Sequence, residues 1–275
     1  MKSEILHVLS YYDLFEYAPT LHEIFISLRF KSTIRDLQSD LSLLCKEGSI
    51  ISEGDRYARR KNIISACIKR KKYSKKLNQE FGMIQPFFSY IPTVRLIGIS
   101  GSLSMLDADI NDDIDLFVVT TQNTLWLSRF YILLVTRIMS VFGNKTAQRL
   151  CWNIFMEEKS LGLPETKRNE YTAHELIQLK IIYDRSHISE KLQKENEWVL
   201  KILPNVQINY SKMHKNYRLP EQYKYLKILD SFFRFFQRRW LHKKGYKVTE
   251  YPSQVWFIQR DFEQKFPFPL KKVAE

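Results

Sequence analysis

Ile97-Gly98-Ile99-Ser100-Gly101-Ser102-Leu103-Ser104-Met105-Leu106-Asp107-Ala108-Asp109-Ile110-Asn111-Asp112-Asp113-Ile114-Asp115-Leu116-Phe117-Val118-Val119 is the stretch whose reading decides the fold. It opens as a buried strand, Val94 to Ser100, and breaks at Gly101-Ser102, where a turn should start a helix. Glycine there lets backbone approach a ligand, because no Cβ intervenes. Amides at a helix start, with the Ser102 hydroxyl, suit a phosphate. A second strand, Ile114 to Thr120, carries the Asp113-Ile114-Asp115-Leu116 alternation. Strand side chains alternate faces, so Asp113 and Asp115 are expected on one side and Ile114 and Leu116 in the core. Two carboxylates about 7 Å apart along a strand repel each other unless a cation lies between them. Hard oxygen ligands beside a phosphate select Mg²⁺ or Mn²⁺.

Working outward, an apolar helix is expected over about 124–143 and a further strand over about 149–156. Strands alternating with helices in this way mark a mixed α/β arrangement. Gly-Ser, ten residues, then Asp-hydrophobic-Asp-hydrophobic resembles the defining motif of the DNA polymerase β-like nucleotidyltransferase superfamily. The wider wording over 101–120, 150–156, 169–176 and 196–205 looks like an uncharacterised bacterial group within it. The motif covers about 20 residues and the looser resemblance roughly 95–205.

The resemblance implies a nucleoside triphosphate (NTP) substrate, with Ser102 at its terminal phosphates and Asp113 and Asp115 binding metal. It implies transfer of a nucleoside monophosphate to an acceptor hydroxyl. Active relatives usually carry a third carboxylate on a neighbouring strand. Here that strand is expected to be Leu150 to Met156, and its inward polar residue is Asn153. An amide accepts a hydrogen bond but cannot take a proton as a general base. By strand period, Glu157 is expected on the face of Asn153, two pleats along. Two readings follow: an enzyme with an altered base, or an inert fold acting as a nucleotide- or nucleic-acid-binding regulator.

Before this motif, residues 1–60 read as a winged helix. Thr20 with Glu23 forms a capping box, Thr33 can cap a third helix, and Glu53-Gly54-Asp55 turns a short hairpin. Arg56, Arg59 and Arg60 on its outgoing strand are placed for phosphates, so nucleic acid is a candidate partner of this unit and of the basic helices, the alternatives being a protein-packing module and a solvated helix face. A linking helix should fill 61–92, bearing the Lys69-to-Lys76 basic run. The nucleotidyltransferase core is expected over 93–165 and a helical C-terminal region over 166–275. There Thr172 and Glu175 suggest a capping box opening a helix through about Asp184, with His174 on its surface. The Phe232-to-Lys244 stretch interleaves aromatics with bases, a pattern that can stack bases or lie at a membrane surface, and reads first as a core helix with a basic outer face. The expected class is α+β: winged helix, mixed-sheet nucleotidyltransferase domain and helical C-terminal region.

Composition sets the outer bounds. The chain of 275 residues is 44% hydrophobic, with 43 Lys+Arg against 30 Asp+Glu and a formal charge of +13. Cores of useful size are available, and the cationic excess favours polyanionic partners. Three scattered cysteines, Cys45, Cys67 and Cys151, lack zinc or disulfide spacing. The longest apolar run, Leu125 to Phe142, contains Arg129 and Arg137. Those charges would be costly at a bilayer centre, so a buried helix is expected, with no integral membrane segment. No signal peptide is legible at Met1, and a reducing cytoplasm is the expected compartment.

Overall fold

Thr20 and Thr33 start two N-terminal helices as their side chains require. The Thr20 hydroxyl accepts from the Glu23 amide while Glu23 accepts from the Thr20 amide, completing the capping box. Thr33 accepts from the Asp36 amide. The resulting α2 (Leu21–Ser27) and α3 (Ile34–Lys46) pack with α1 (Lys2–Asp13) around Ile5, Leu9, Ile24, Leu37 and Leu41. The antiparallel pair β1 (Ile51–Glu53) and β2 (Arg56–Ala58) completes this unit. Arg56 departs from expectation: its side chain is buried over the Tyr17 ring and donates to the Ala18 carbonyl. It therefore serves packing rather than a phosphate. Arg60 pairs with Asp13 at 3.6 Å, and Arg59 stays exposed.

The computed structural model describes residues 1–207 and 225–257. From α4 (Lys61–Ser89) the chain enters a mixed six-stranded sheet, so the class is α+β. Strand order is β6-β3-β4-β5-β8-β7, with β3 (Val94–Ile99), β4 (Ile114–Thr120), β5 (Leu150–Glu157), β6 (Lys180–Asp184), β7 (Thr249–Tyr251) and β8 (Gln254–Trp256). Only β4 and β5 pair in parallel; the other neighbours are antiparallel. Ile97, Ile99, Leu116, Val118 and Phe155 face one layer, against α4, α6 (Leu125–Val141) and α10 (Leu226–Lys243). Leu96, Phe117, Val119 and Met156 face the other, against α7 (Glu170–Gln178), α8 (Ile188–Glu195) and α9 (Val199–Ile202).

Further expectations need correcting. The region after 166 is not helical throughout, because β6, β7 and β8 supply both edges of the sheet. The helix expected through Asp184 ends at Gln178, and Lys180–Asp184 pairs with β3 instead. Its capping box is Asn169 with Thr172, one turn earlier than Thr172 with Glu175. His174 is buried and stacks on Tyr11 at 4.3 Å, and burial pushes its pKa down to about 4. The apolar helix and the aromatic-basic helix are likewise only half covered: Leu134 and Ile138 of α6, and Phe232, Phe235 and Trp240 of α10, are exposed. Residues 208–224 and 258–275, part of the expected C-terminal region, lie outside the described residues.

The N-terminal helices grip α7 through a buried carboxylate. Glu170 accepts from His7 at 3.2 Å and lies 3.7 Å from Arg29, which also chelates Glu4 through two 2.8 Å bonds. Burial alone would push the Glu170 carboxyl up. The His7 hydrogen bond and the charges of His7, His174 and Arg29 outweigh it and hold the pKa below its ordinary value. Replacing one member of such a buried group strands the others, at about 3–5 kcal/mol. Glu170→Ala should lose stability on that scale in urea titration, and a loss below about 1 kcal/mol would show that packing alone holds α7.

Candidate active site

The site is built where β3 ends beside the start of β4. The Ser100 amide donates to the Asp115 carbonyl at 2.9 Å, tying the two strand ends together. Gly101 then opens α5 (Gly101–Ser104) with φ at +62°. A Cβ at Gly101 would lie 2.5 Å from Asp115 Oδ2. Glycine is thus demanded twice, by a left-handed backbone and by a carboxylate packed against its Cα.

The loop between α5 and β4 is organised by Asp112 and anchored on α4. Asp112 Oδ2 accepts from the Ser102 hydroxyl at 2.9 Å and the Asp109 amide at 3.0 Å. Its carbonyl accepts from Arg149, whose guanidinium also contacts the Tyr73 hydroxyl on α4. Buried Asp107 pairs with Arg70 at 2.8 Å, and the Ala108 amide donates to Ser74. This frame delivers Asp113, exposed, just before β4 and Asp115, half-buried, two residues on.

Asn153 reaches Asp115 because β5 carries a bulge. Leu116 pairs with Trp152 but Phe117 pairs with Ile154, so Asn153 is the extra residue. Its Nδ2 donates to Asp115 Oδ1 at 2.5 Å, and its Oδ1 accepts from Cys151 Sγ at 3.0 Å. The bulge also shifts the phase of the strand. Glu157 pairs with Thr120, on the face of Leu116 and Val118, so it does not share the site as the unbroken period predicts. It bonds instead to Lys159 at 3.0 Å, at the far end of β5.

Glu175, expected in a capping box, lies in the site instead. From α7 it accepts from the Gly101 backbone amide, and the Asp115 charge acts on it directly. Burial, then that charge, pushes its pKa up to about 7. Burial likewise raises Asp115 to about 6, with Asp113 and Asp112 adding to the rise and the Asn153 hydrogen bond opposing it. The nearby Cys151 thiol is pushed up to about 11 by burial and by the charges of Asp115 and Asp113. Gly101 thus touches both Asp115 and Glu175, Asn153 holds Asp115 from β5, and Asp113 couples to them electrostatically. Ser102 stands at the turn, with its hydroxyl committed to Asp112. A signal for Glu175 exists in the sequence: Asn169 three residues before Thr172 is an equally good N-cap pattern, and choosing it frees Glu175.

Among the described residues no three His, Cys, Asp or Glu side chains form a metal-chelating group. That excludes a closed structural cage among them but not the sparse ligation that Mg²⁺ prefers, with one or two carboxylates completed by water and substrate phosphates. The donor set at Asp113 and Asp115 fits that pattern; Asp115, raised chiefly by burial, accepts the Asn153 amide at one oxygen. No protein-family model matches this chain, and no curated protein does.

Both shifted carboxylates have folded-state pKa values above their unfolded ones. These two groups then hold extra protons between about pH 4 and pH 7, and their contribution to stability is lost as pH rises through that window, while buried His174 acts in the opposite direction. Measured against an Asp115→Asn, Glu175→Gln double variant, the native chain's denaturant midpoint without divalent cations should fall across the window. An unchanged slope in the double variant would mean that other groups carry it.

Proposed function

We propose that this chain is a Mg²⁺- or Mn²⁺-dependent nucleotidyltransferase that moves a nucleoside monophosphate from an NTP to an acceptor hydroxyl. The observation that carries the reading is the packing of Asp115 Oδ2 against a positive-φ Gly101, with Asn153 and Glu175 on either side. It accounts for the Gly-Ser and Asp-x-Asp spacing that resembles the polymerase β-like superfamily. The three-helix and hairpin unit is read as the winged helix that precedes the catalytic domain.

Asp113 and Asp115 would hold the metal, which when bound neutralises triphosphate charge and polarises the phosphoryl oxygens. Of the first-turn amides of α5, that of Gly101 is taken by Glu175, which leaves those of Ser102 and Leu103 to meet the phosphates. Asn153 fixes Asp115 by donating to one oxygen, leaving the other over Gly101. The acceptor oxygen bonds to the α-phosphorus, the bond to the β-phosphate oxygen breaks, and pyrophosphate leaves. Glu175 is the group suited to take the acceptor proton, since its pKa lies near neutrality. That assignment answers the departure at Asn153: the base comes from a helix above the sheet rather than from a neighbouring strand.

The inert-regulator reading rests on Asn153 alone and separates cleanly by turnover. Purified protein incubated with each labelled NTP, Mg²⁺ or Mn²⁺ and cell extract should yield a labelled acceptor, which names the acceptor class; nucleic acid is one candidate, through exposed Arg35, Gln38 and Arg59. Asp115→Ala should weaken Mg²⁺-dependent ATP binding by more than about a hundredfold, since even residues behind the ligands cost ten- to a hundredfold. Glu175→Gln should preserve that affinity and lower kcat about 10²- to 10⁴-fold. Unchanged Mg²⁺-ATP affinity in Asp115→Ala would sink the assignment. Turnover absent from the native chain but gained on Asn153→Asp would favour the regulator.

A further inference from the structure

Helix α10 meets the fold along a mixed line, in which polar Asp230 and Gln237 join apolar Phe233 and Leu241. Asp230 accepts from the Leu127 amide at 2.9 Å, and Gln237 donates to the Trp126 carbonyl at 2.8 Å while accepting from Arg129. The opposite side presents Ile228, Phe232, Phe235, Phe236 and Trp240, all exposed. Their spacing of three and four residues makes one continuous stripe. Ring contacts extend it without a gap: Phe235 to Phe236 at 5.4 Å, Phe236 to Phe232 at 4.6 Å and Phe232 to Phe233 at 5.6 Å. Phe233 then stacks on Phe130 at 4.3 Å, and Phe130 meets Tyr131 at 5.5 Å. Tyr131 opens a second exposed stripe on α6, with Leu134, Ile138 and Val141.

Charge decides what such a face fits. Asp230 is the one acidic residue of α10, and it is buried. Arg239 and Lys243 fall within the aromatic stripe by helical phase, and both are exposed. Arg234 and Arg238 flank it, held in place by Glu250 at 2.9 and 2.8 Å. A second copy packed face to face would bring these cations together in a desolvated contact, which is unfavourable. Nucleic acid bases stack on rings, but Leu134, Ile138, Val141 and Ile228 offer no π face. Hydrocarbon edged by anionic headgroups satisfies both the aliphatic and the cationic parts. No described helix is long and apolar enough to cross a membrane, so the face would lie on the surface.

We propose that the α6–α10 face docks on an anionic lipid bilayer, with α10 parallel to the membrane plane and its aromatic stripe at the headgroup boundary. Flotation of the full chain with vesicles tests it. The chain should float with phosphatidylcholine vesicles containing phosphatidylglycerol, should not float with phosphatidylcholine alone, and should be released by salt. Phe235→Ser with Phe236→Ser should lower partitioning more than about tenfold, through lost apolar burial. Arg239→Ala with Lys243→Ala should lower it about fivefold for each cation removed. All four positions are exposed, so thermal unfolding midpoints should stay near that of the parent. Equal flotation by the variants, or none by the parent, would overturn the proposal. So would sedimentation showing a dimer that the phenylalanine pair dissolves, since a second copy would then cover the face.

Discussion

The contact between Asp115 and the bare Cα of Gly101 is the constraint on which the rest of the site depends. A carboxylate can lie there only because the residue opening α5 has no side chain, and because the Ser100 amide holds the strand ends in register. The same left-handed residue turns the chain out of β3 and into α5. Any Cβ would push Asp115 away and strain the turn together, so one position controls both the placement of that carboxylate and the path of the backbone.

Around that contact the molecule concentrates negative charge and supplies little to offset it. Asp112 is satisfied by Ser102, by the Asp109 amide and, through its carbonyl, by Arg149; Asp107 is matched by Arg70. Among the described residues Asp115 and Glu175 each receive one amide hydrogen bond. Burial raises structural Asp107 and Asp230 as well, whereas Glu170 is held below its ordinary pKa by His7 and Arg29. The contrast between Glu170 and the two carboxylates at Gly101 is one of charge compensation.

Much of the site is legible in the amino-acid order, and the parts that are not fail for identifiable reasons. Gly101, Ser102, Asp113 and Asp115 are close along the chain, so strand period and turn chemistry locate them. Asn153 falls on the strand where it is expected. Its neighbour Glu157 does not keep the expected face, because a bulge inserts one residue and shifts every later side chain to the opposite side. A register shift depends on what the partner strand presents and leaves no mark on the period of β5 itself. Glu175 is hidden for another reason: two N-cap patterns overlap at Asn169 and Thr172, and local preference does not choose between them. Packing chooses Asn169, since that start lets His174 bury against Tyr11 and Glu170 meet His7 and Arg29.

By itself, then, the amino-acid order determined the N-terminal caps and hairpin and the β3-turn-β4 segment, all of which arise from interactions within a few residues. Only the tertiary structure decided that Lys180–Asp184 joins the sheet, that Glu175 stands over Gly101, and that α10 turns its aromatic side outward. Each of these hangs on partners far along the chain. Periodicity reports that a helix has an apolar side; which side meets the protein is settled by the buried hydrogen bonds of Asp230 and Gln237, and those exist only once α6 is in place.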